Sequence, residues 1–67
     1  MYHEWPLGKR GEMRSPFTGR TRVKLVRQDD RDVWLKVTTT RSRYYKHGEI
    51  VKVGKGRWYP DAEAKNA

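Results

Sequence analysis

The sequence predicts a mainly β fold: a small barrel or strongly bent antiparallel sheet of four to five short strands, with an irregular N-terminal arm and a frayed C-terminal tail. Three observations predict it. Apolar and polar residues alternate in "TRVKL", "DVWLKV" and "EIVKV", the period of a strand with one buried face. Gly, Pro, Asp and Ser cluster between these runs, as turns require. No amphipathic helical repeat is legible, and many short strands with Gly-rich turns suit a small closed or bent sheet. The chain divides into an irregular basic arm (residues 1–20), a small β domain (21–60) and a tail (61–67).

In the arm, "PLGKRGEMRSPFTGR" holds three glycines, two prolines and four basic residues. It reads as loop, with a turn at Ser15–Gly19. Trp5 and Phe17 are the side chains able to pin it to the body. Next, "TRVKLVRQDDRDVWLKVTTT" reads as a hairpin rich in β-branched residues. A turn centred on Asp30 sets Val23 opposite Val37 and Leu25 opposite Leu35, all on one face. Val26 and Trp34 then meet on the other face, beside Lys24 and Lys36. A two-residue loop at Asp29-Asp30 would pair Val23 with Lys36 and scramble the faces, so a three- or five-residue turn is expected.

A second unit runs from about Arg43 to Tyr59. If residues 43–46 are extended, Tyr44 and Tyr45 point to opposite sides; Tyr45 is expected inward and Tyr44 outward. In "EIVKV", Val51 and Val53 share one face and Ile50 and Lys52 the other. "GKG" is turn chemistry, and "RWY" a short final strand closed by Pro60. Asp61 is placed to cap a stub of helix in "AEAKNA", too short to hold alone.

Within this unit, "HGEIVKVGKG" carries a family likeness. Gly48, Glu49, Val51, Val53 and Gly56 resemble the first half of a KOW motif, found in SH3-like barrels of ribosomal proteins and transcription elongation factors. The likeness spans about ten residues. The motif's second half, a Gly-x-x-Gly-x-Val run, is replaced by "RWYP". The resemblance implies an SH3-like small β-barrel and RNA or transcription-machinery partners.

Size and charge bound the function. Sixty-seven residues make one domain at most, and such a chain buries only about 60% of its unfolded surface. Without cysteine it has no disulfide framework, and no Cys/His cluster has metal-ligand spacing. No metal or cofactor is expected. Apolar runs never exceed three residues, so no membrane span is expected, and "MYHEWPLGKR" does not read as a signal peptide. A cytoplasmic protein is expected, with nucleoid or ribosome association left open. Sixteen Lys/Arg against eight Asp/Glu give +8 and a pI near 10.2. That balance favours polyanions, nucleic acid above all. The basic residues fall in two groups, seven in residues 1–27 and six in 41–59, with the acidic "QDDRD" between them.

No catalytic constellation is legible, and an enzyme is not expected. Asp29, Asp30 and Asp32 are better read as turn residues than as a metal or acid/base site. His47 reads as a loop histidine, and "GKG" lacks the strand-to-helix context of a phosphate loop. The aromatics carry more information. Trp34, Tyr44, Tyr45, Trp58 and Tyr59 interleave with basic residues, and strand alternation leaves about three of these rings outside the main interior. Rings stack on bases while cations neutralise phosphates. The expected nucleic-acid surface, for DNA or RNA, is therefore Trp34, Lys36, Arg41, Arg43, Tyr44, Lys46, Lys52, Lys55, Arg57 and Trp58. The competing structural reading is a second small core beneath the arm, against Trp5 or Phe17. "TTTRSR" offers hydroxyls and guanidinium groups to phosphates, or serves as a charged edge. A second function class is a small phage-encoded or accessory regulator docked on a large transcription or translation machine, such as RNA polymerase. Its anchors would be Trp5, Leu7, Lys9, Arg10 and Phe17.

Overall fold

The alternating runs do pair. In the computed structural model, which describes residues 5–61, five antiparallel strands form one open sheet in the order β4-β3-β2-β1-β5. The expected frayed tail and helix stub lie outside the described residues, apart from Asp61. β2 (Gly19–Gln28) and β3 (Asp32–Val37) make the predicted hairpin, with Val23 opposite Val37 and Leu25 opposite Leu35. A three-residue turn joins them. Asp29 shapes it: its Oδ1 accepts the Arg31 and Asp32 amides at 2.9 and 2.7 Å, and its own N–H donates to the Asp32 carbonyl at 3.0 Å. This is how Asp substitutes for backbone in a turn.

One pairing differs from expectation. Val26 does not face Trp34; a β-bulge between Leu25 and Arg27 inserts a residue, so Arg27 faces Trp34 and Gln28 faces Val33. The tight tip is one residue out of step with the base of the hairpin, and the bulge absorbs the difference.

The irregular arm over 1–20 is also corrected. Arg10–Ser15 is a strand, β1, paired with β2 on one side and with β5 on the other. Its alternation is real, but its inward residues are Gly11 and Met13 rather than β-branched ones. Gly11 is fixed by close approach. A Cβ there would stand 2.5 Å from the Tyr59 carbonyl oxygen and 2.7 Å from both Pro60 Cα and the Trp58 ring. The predicted Ser15–Gly19 turn forms, with Gly19 at φ 73°. Residues before β1 are tied down as well. Gly8 N–H donates to Leu25 O at 2.7 Å, and Leu25 N–H donates to Lys9 O at 2.8 Å. Gln28 brackets Trp5, accepting its N–H at 3.0 Å and donating to its carbonyl.

A third correction concerns residues 41–46, which are not a strand. The chain from 38 to 49 is a connection. Local side chains capture its amides: Thr39 Oγ1 takes Arg41 N–H at 3.1 Å, Ser42 Oγ takes Tyr44 and Tyr45 at 3.2 and 3.1 Å, and Glu49 Oε1 takes Lys46 at 3.0 Å. Such bonds compete with a strand ladder. Tyr45 packs against the core and Tyr44 is exposed. The expected division of roles holds, through loop geometry rather than strand parity.

β4 (Ile50–Gly54) pairs with β3; Val51 and Val53 pack on the core while Ile50 and Lys52 face away. "GKG" leads into a 3-10 turn, Lys55–Arg57, and β5 (Trp58–Pro60) closes against β1. The core is Met13, Val23, Leu25, Val33, Leu35, Val37 and Trp58. Trp5 meets Trp58 edge-to-face at 6.2 Å, so Trp5 pins the N-terminal segment, whereas Phe17 is 85% exposed and pins nothing. No helix among the described residues is long and apolar enough to cross a membrane.

Candidate nucleic-acid interface

Strand alternation that buries one set of side chains turns the complementary set outward. In β2 the outward set is Arg20, Arg22, Lys24 and, after the bulge, Arg27; in β1 it is Arg10, Glu12 and Arg14. β3 adds Asp32, Trp34 and Lys36, β4 adds Ile50 and Lys52, and β5 adds Tyr59. The strands thus turn eight cations and two carboxylates away from the core.

Register makes the crowding specific. Lys24 stands directly opposite Arg10 on one side and Lys36 on the other, and Arg14 stands opposite Arg20. Like charges directly opposite destabilise a sheet. Arg10, Arg20, Lys24 and Lys36 make no side-chain hydrogen bond or ion pair among the described residues. Beside the row, Arg10, Arg22, Lys24, Thr38 and Thr39 line an open hollow of about 470 Å³.

The remaining outward cations are braced. Arg14 forks onto Glu12 at 2.7 and 2.8 Å and lies 3.9 Å over the Tyr59 ring. Arg27 and Lys52 lie 4.4 and 5.4 Å from the Trp34 ring centre, and Lys52 sits 3.7 Å from Asp32. Arg22 forms a bidentate pair with Asp61 at 3.0 and 2.5 Å. That hydrogen bond raises the Arg22 pKa and lowers the Asp61 carboxyl below its ordinary value. Asp29 is lowered too, by the backbone amides of Asp32 and Arg31.

Of the site residues expected from sequence, Trp34, Lys36 and Lys52 share the outward face. Arg41, Arg43, Tyr44 and Lys46 lie in the 38–49 connection, and Lys55 and Arg57 in the 3-10 turn, with Lys55 Nζ 5.7 Å from the Trp5 ring. Trp58 is corrected: it is 4% exposed and belongs to the core, its indole N–H buried without a partner among the described residues. Arg14, Arg20, Arg22, Lys24, Arg27 and Tyr59 were missed, although "RTRVKLVR" alternates and its polar positions are the complement of its core positions. The five alternative anchors do not converge. Trp5 packs inward, Lys9 is half-buried, Arg10 joins the cationic row, and exposed Leu7 and Phe17 lie beyond opposite ends of β1. Among the described residues no group of His, Asp or Glu is arranged to hold a metal ion. The chain matches no protein-family model, no curated protein and no solved structure.

Proposed function

We propose that this chain is a small, sequence-tolerant nucleic-acid-binding module that grips the phosphate backbone through the outward face of β1, β2 and β3. The observation that carries this reading is the row Arg10–Lys24–Lys36, each cation directly opposite the next. Each like-charged pair costs the sheet roughly 0.2–1 kcal/mol. A polyanion turns the same row into a contact surface and gains entropy from released counterions. Hydroxyls of Thr38 and Thr39 border the row and suit phosphate oxygens. Trp34 and Tyr59 already carry cations on their rings, so on this reading they brace the cations. Tyr44, 61% exposed, offers a ring to stack on a base.

A KOW-like, SH3-like relationship is part of the proposal. It is supported by Val51 and Val53 packing inward from β4 and by the glycines that lead into the 3-10 turn. The proposed setting is the cytoplasm, on nucleoid or ribosomal nucleic acid.

The test is a titration of labelled oligonucleotides, single- and double-stranded, at several salt concentrations. Three phosphates neutralised by the row predict a log–log salt slope of about −3 on duplex. Absence of binding at low salt, or a flat slope, overturns the reading. One observation favours docking on a protein machine instead: Phe17, 85% exposed at the tip of the β1–β2 turn. Capture of a defined partner from nuclease-treated lysate, lost with Phe17→Ala, would favour that second reading.

A further inference from the structure

Four residues along β1 from Arg10, about 13 Å away, the outward face ends in a second hollow. Between the β1–β2 turn and the 3-10 turn this hollow of about 430 Å³ lies open to solvent. Arg14, Arg20 and Arg57 line it together with Ser15, Pro16 and Tyr59, and among the described residues no carboxylate does. Its arginines are unequal. Arg14 is held by Glu12 and by the Tyr59 ring. Arg20 and Arg57 make no side-chain hydrogen bond or ion pair among the described residues. Gly19 and Gly56 leave the mouth open, since a Cβ at either would meet nothing within 4 Å.

We infer that this hollow is a binding site for one nucleotide unit, with its phosphate on Arg20 and Arg57 and its base against Pro16 and the Arg14 guanidinium laid over the Tyr59 ring. Guanidinium forks match phosphate geometry and keep their charge at any working pH. A bare anion would use the arginines but leave the aromatic and proline wall wet. A nucleotide covers both, because its base offers a flat π-face. Arg14, fixed by its two contacts, supplies charge without reorganising. The inference does not depend on backbone binding by the Arg10 row. The nucleotide can be a free nucleoside monophosphate or one unit of a strand, since both present the same chemistry.

The experiment is an amide-resonance titration of the full chain with adenosine 5′-monophosphate, with inorganic phosphate and adenosine as separate arms. The monophosphate should move Gly19, Arg20, Gly56, Arg57 and Tyr59, and bind tighter than either part. Arg20→Ala and Arg57→Ala should each weaken it roughly tenfold, the usual scale for one charged hydrogen-bonding contact, while Arg31→Gln, at the exposed β2–β3 tip, leaves it unchanged. Both arginines are exposed, and an unaltered amide spectrum elsewhere verifies the fold of each variant. A 5′-phosphorylated hexanucleotide then identifies the source. If Arg57→Ala weakens it too, the unit belongs to a strand; if only the monophosphate is affected, the ligand is a free nucleotide. Either result upholds the site. No binding, equal affinity for phosphate and monophosphate, shifts centred on Arg10 and Lys24, or indifference to Arg57→Ala would overturn it. Monophosphate binding without any oligonucleotide binding would sink the backbone reading alone.

Discussion

At Gly11 the chain has no room for a side chain, because β5 crosses where a Cβ would stand. Gly11→Ala must push backbone against backbone, and overpacking of this kind costs about 1–3 kcal/mol. In a domain this small, that lowers Tm by roughly 4–8 °C per kcal/mol. A thermal melt checks it, and an unchanged Tm would mean that β5 is not held against β1 as described. Sequence alone presents Gly11 as loop punctuation, because its constraint comes from Tyr59 and Pro60 at the far end of the chain. Tyr44 and Tyr45 show a different limit. In an extended stretch neighbouring rings would divide between inside and outside; these two do divide, yet Ser42 and the bends around it decide the geometry rather than a strand. Trp58 was legible as a strand residue but not as core, since parity allows either face until Trp5 is seen to pack against it.

Among the elements, the β2–β3 hairpin was legible because Val, Leu and Asp each follow a local rule there. β1 was not, because Gly11 and Met13 hold its inward positions. The proposed interface follows the same division. Its charge was visible in composition, but its location depended on finding β1, which supplies Arg10 and Arg14 to the cross-strand rows. Lys24 tests what those rows are for. It stands between Arg10 and Lys36, so Lys24→Gln should relieve repulsion and stabilise the fold by roughly 0.2–1 kcal/mol. The same change should weaken oligonucleotide binding and reduce the salt slope by about 0.9. Opposite signs on stability and affinity mark a residue kept for binding. Equal loss of both would make Lys24 an ordinary structural residue.

For the molecule as a whole, +8 of net charge leaves its few carboxylates with structural duties. Asp29 holds the hairpin turn, and Asp61 pairs with Arg22. Both carboxyls titrate below their ordinary values in the folded chain. Their stabilisation is therefore complete above the unfolded carboxylate pKa, near about 3.9, and is lost as pH falls through the folded values. Tm should stay level from about pH 7 to about pH 5 and decline below about pH 4. Asp29→Asn and Asp61→Asn should each flatten that decline, because neither replacement titrates. An acid limb unchanged in the double variant would show that other groups govern it.

The sheet's strand order also sets a sequence of assembly. β1 to β4 each pair with their neighbour in the chain, whereas β5 returns to β1, joining Met13 to Trp58 and Gly11 to Pro60. Asp61 extends that seam by donating its N–H to the Arg10 carbonyl at 3.0 Å. The meander can zip from local contacts, but one flank of β1 stays bare and the core lacks its indole until β5 arrives. Closing a loop of about fifty residues costs more entropy than any hairpin in the meander, so long-range closure should be the slow step of folding. The seal on the core is thus a strand only three residues long.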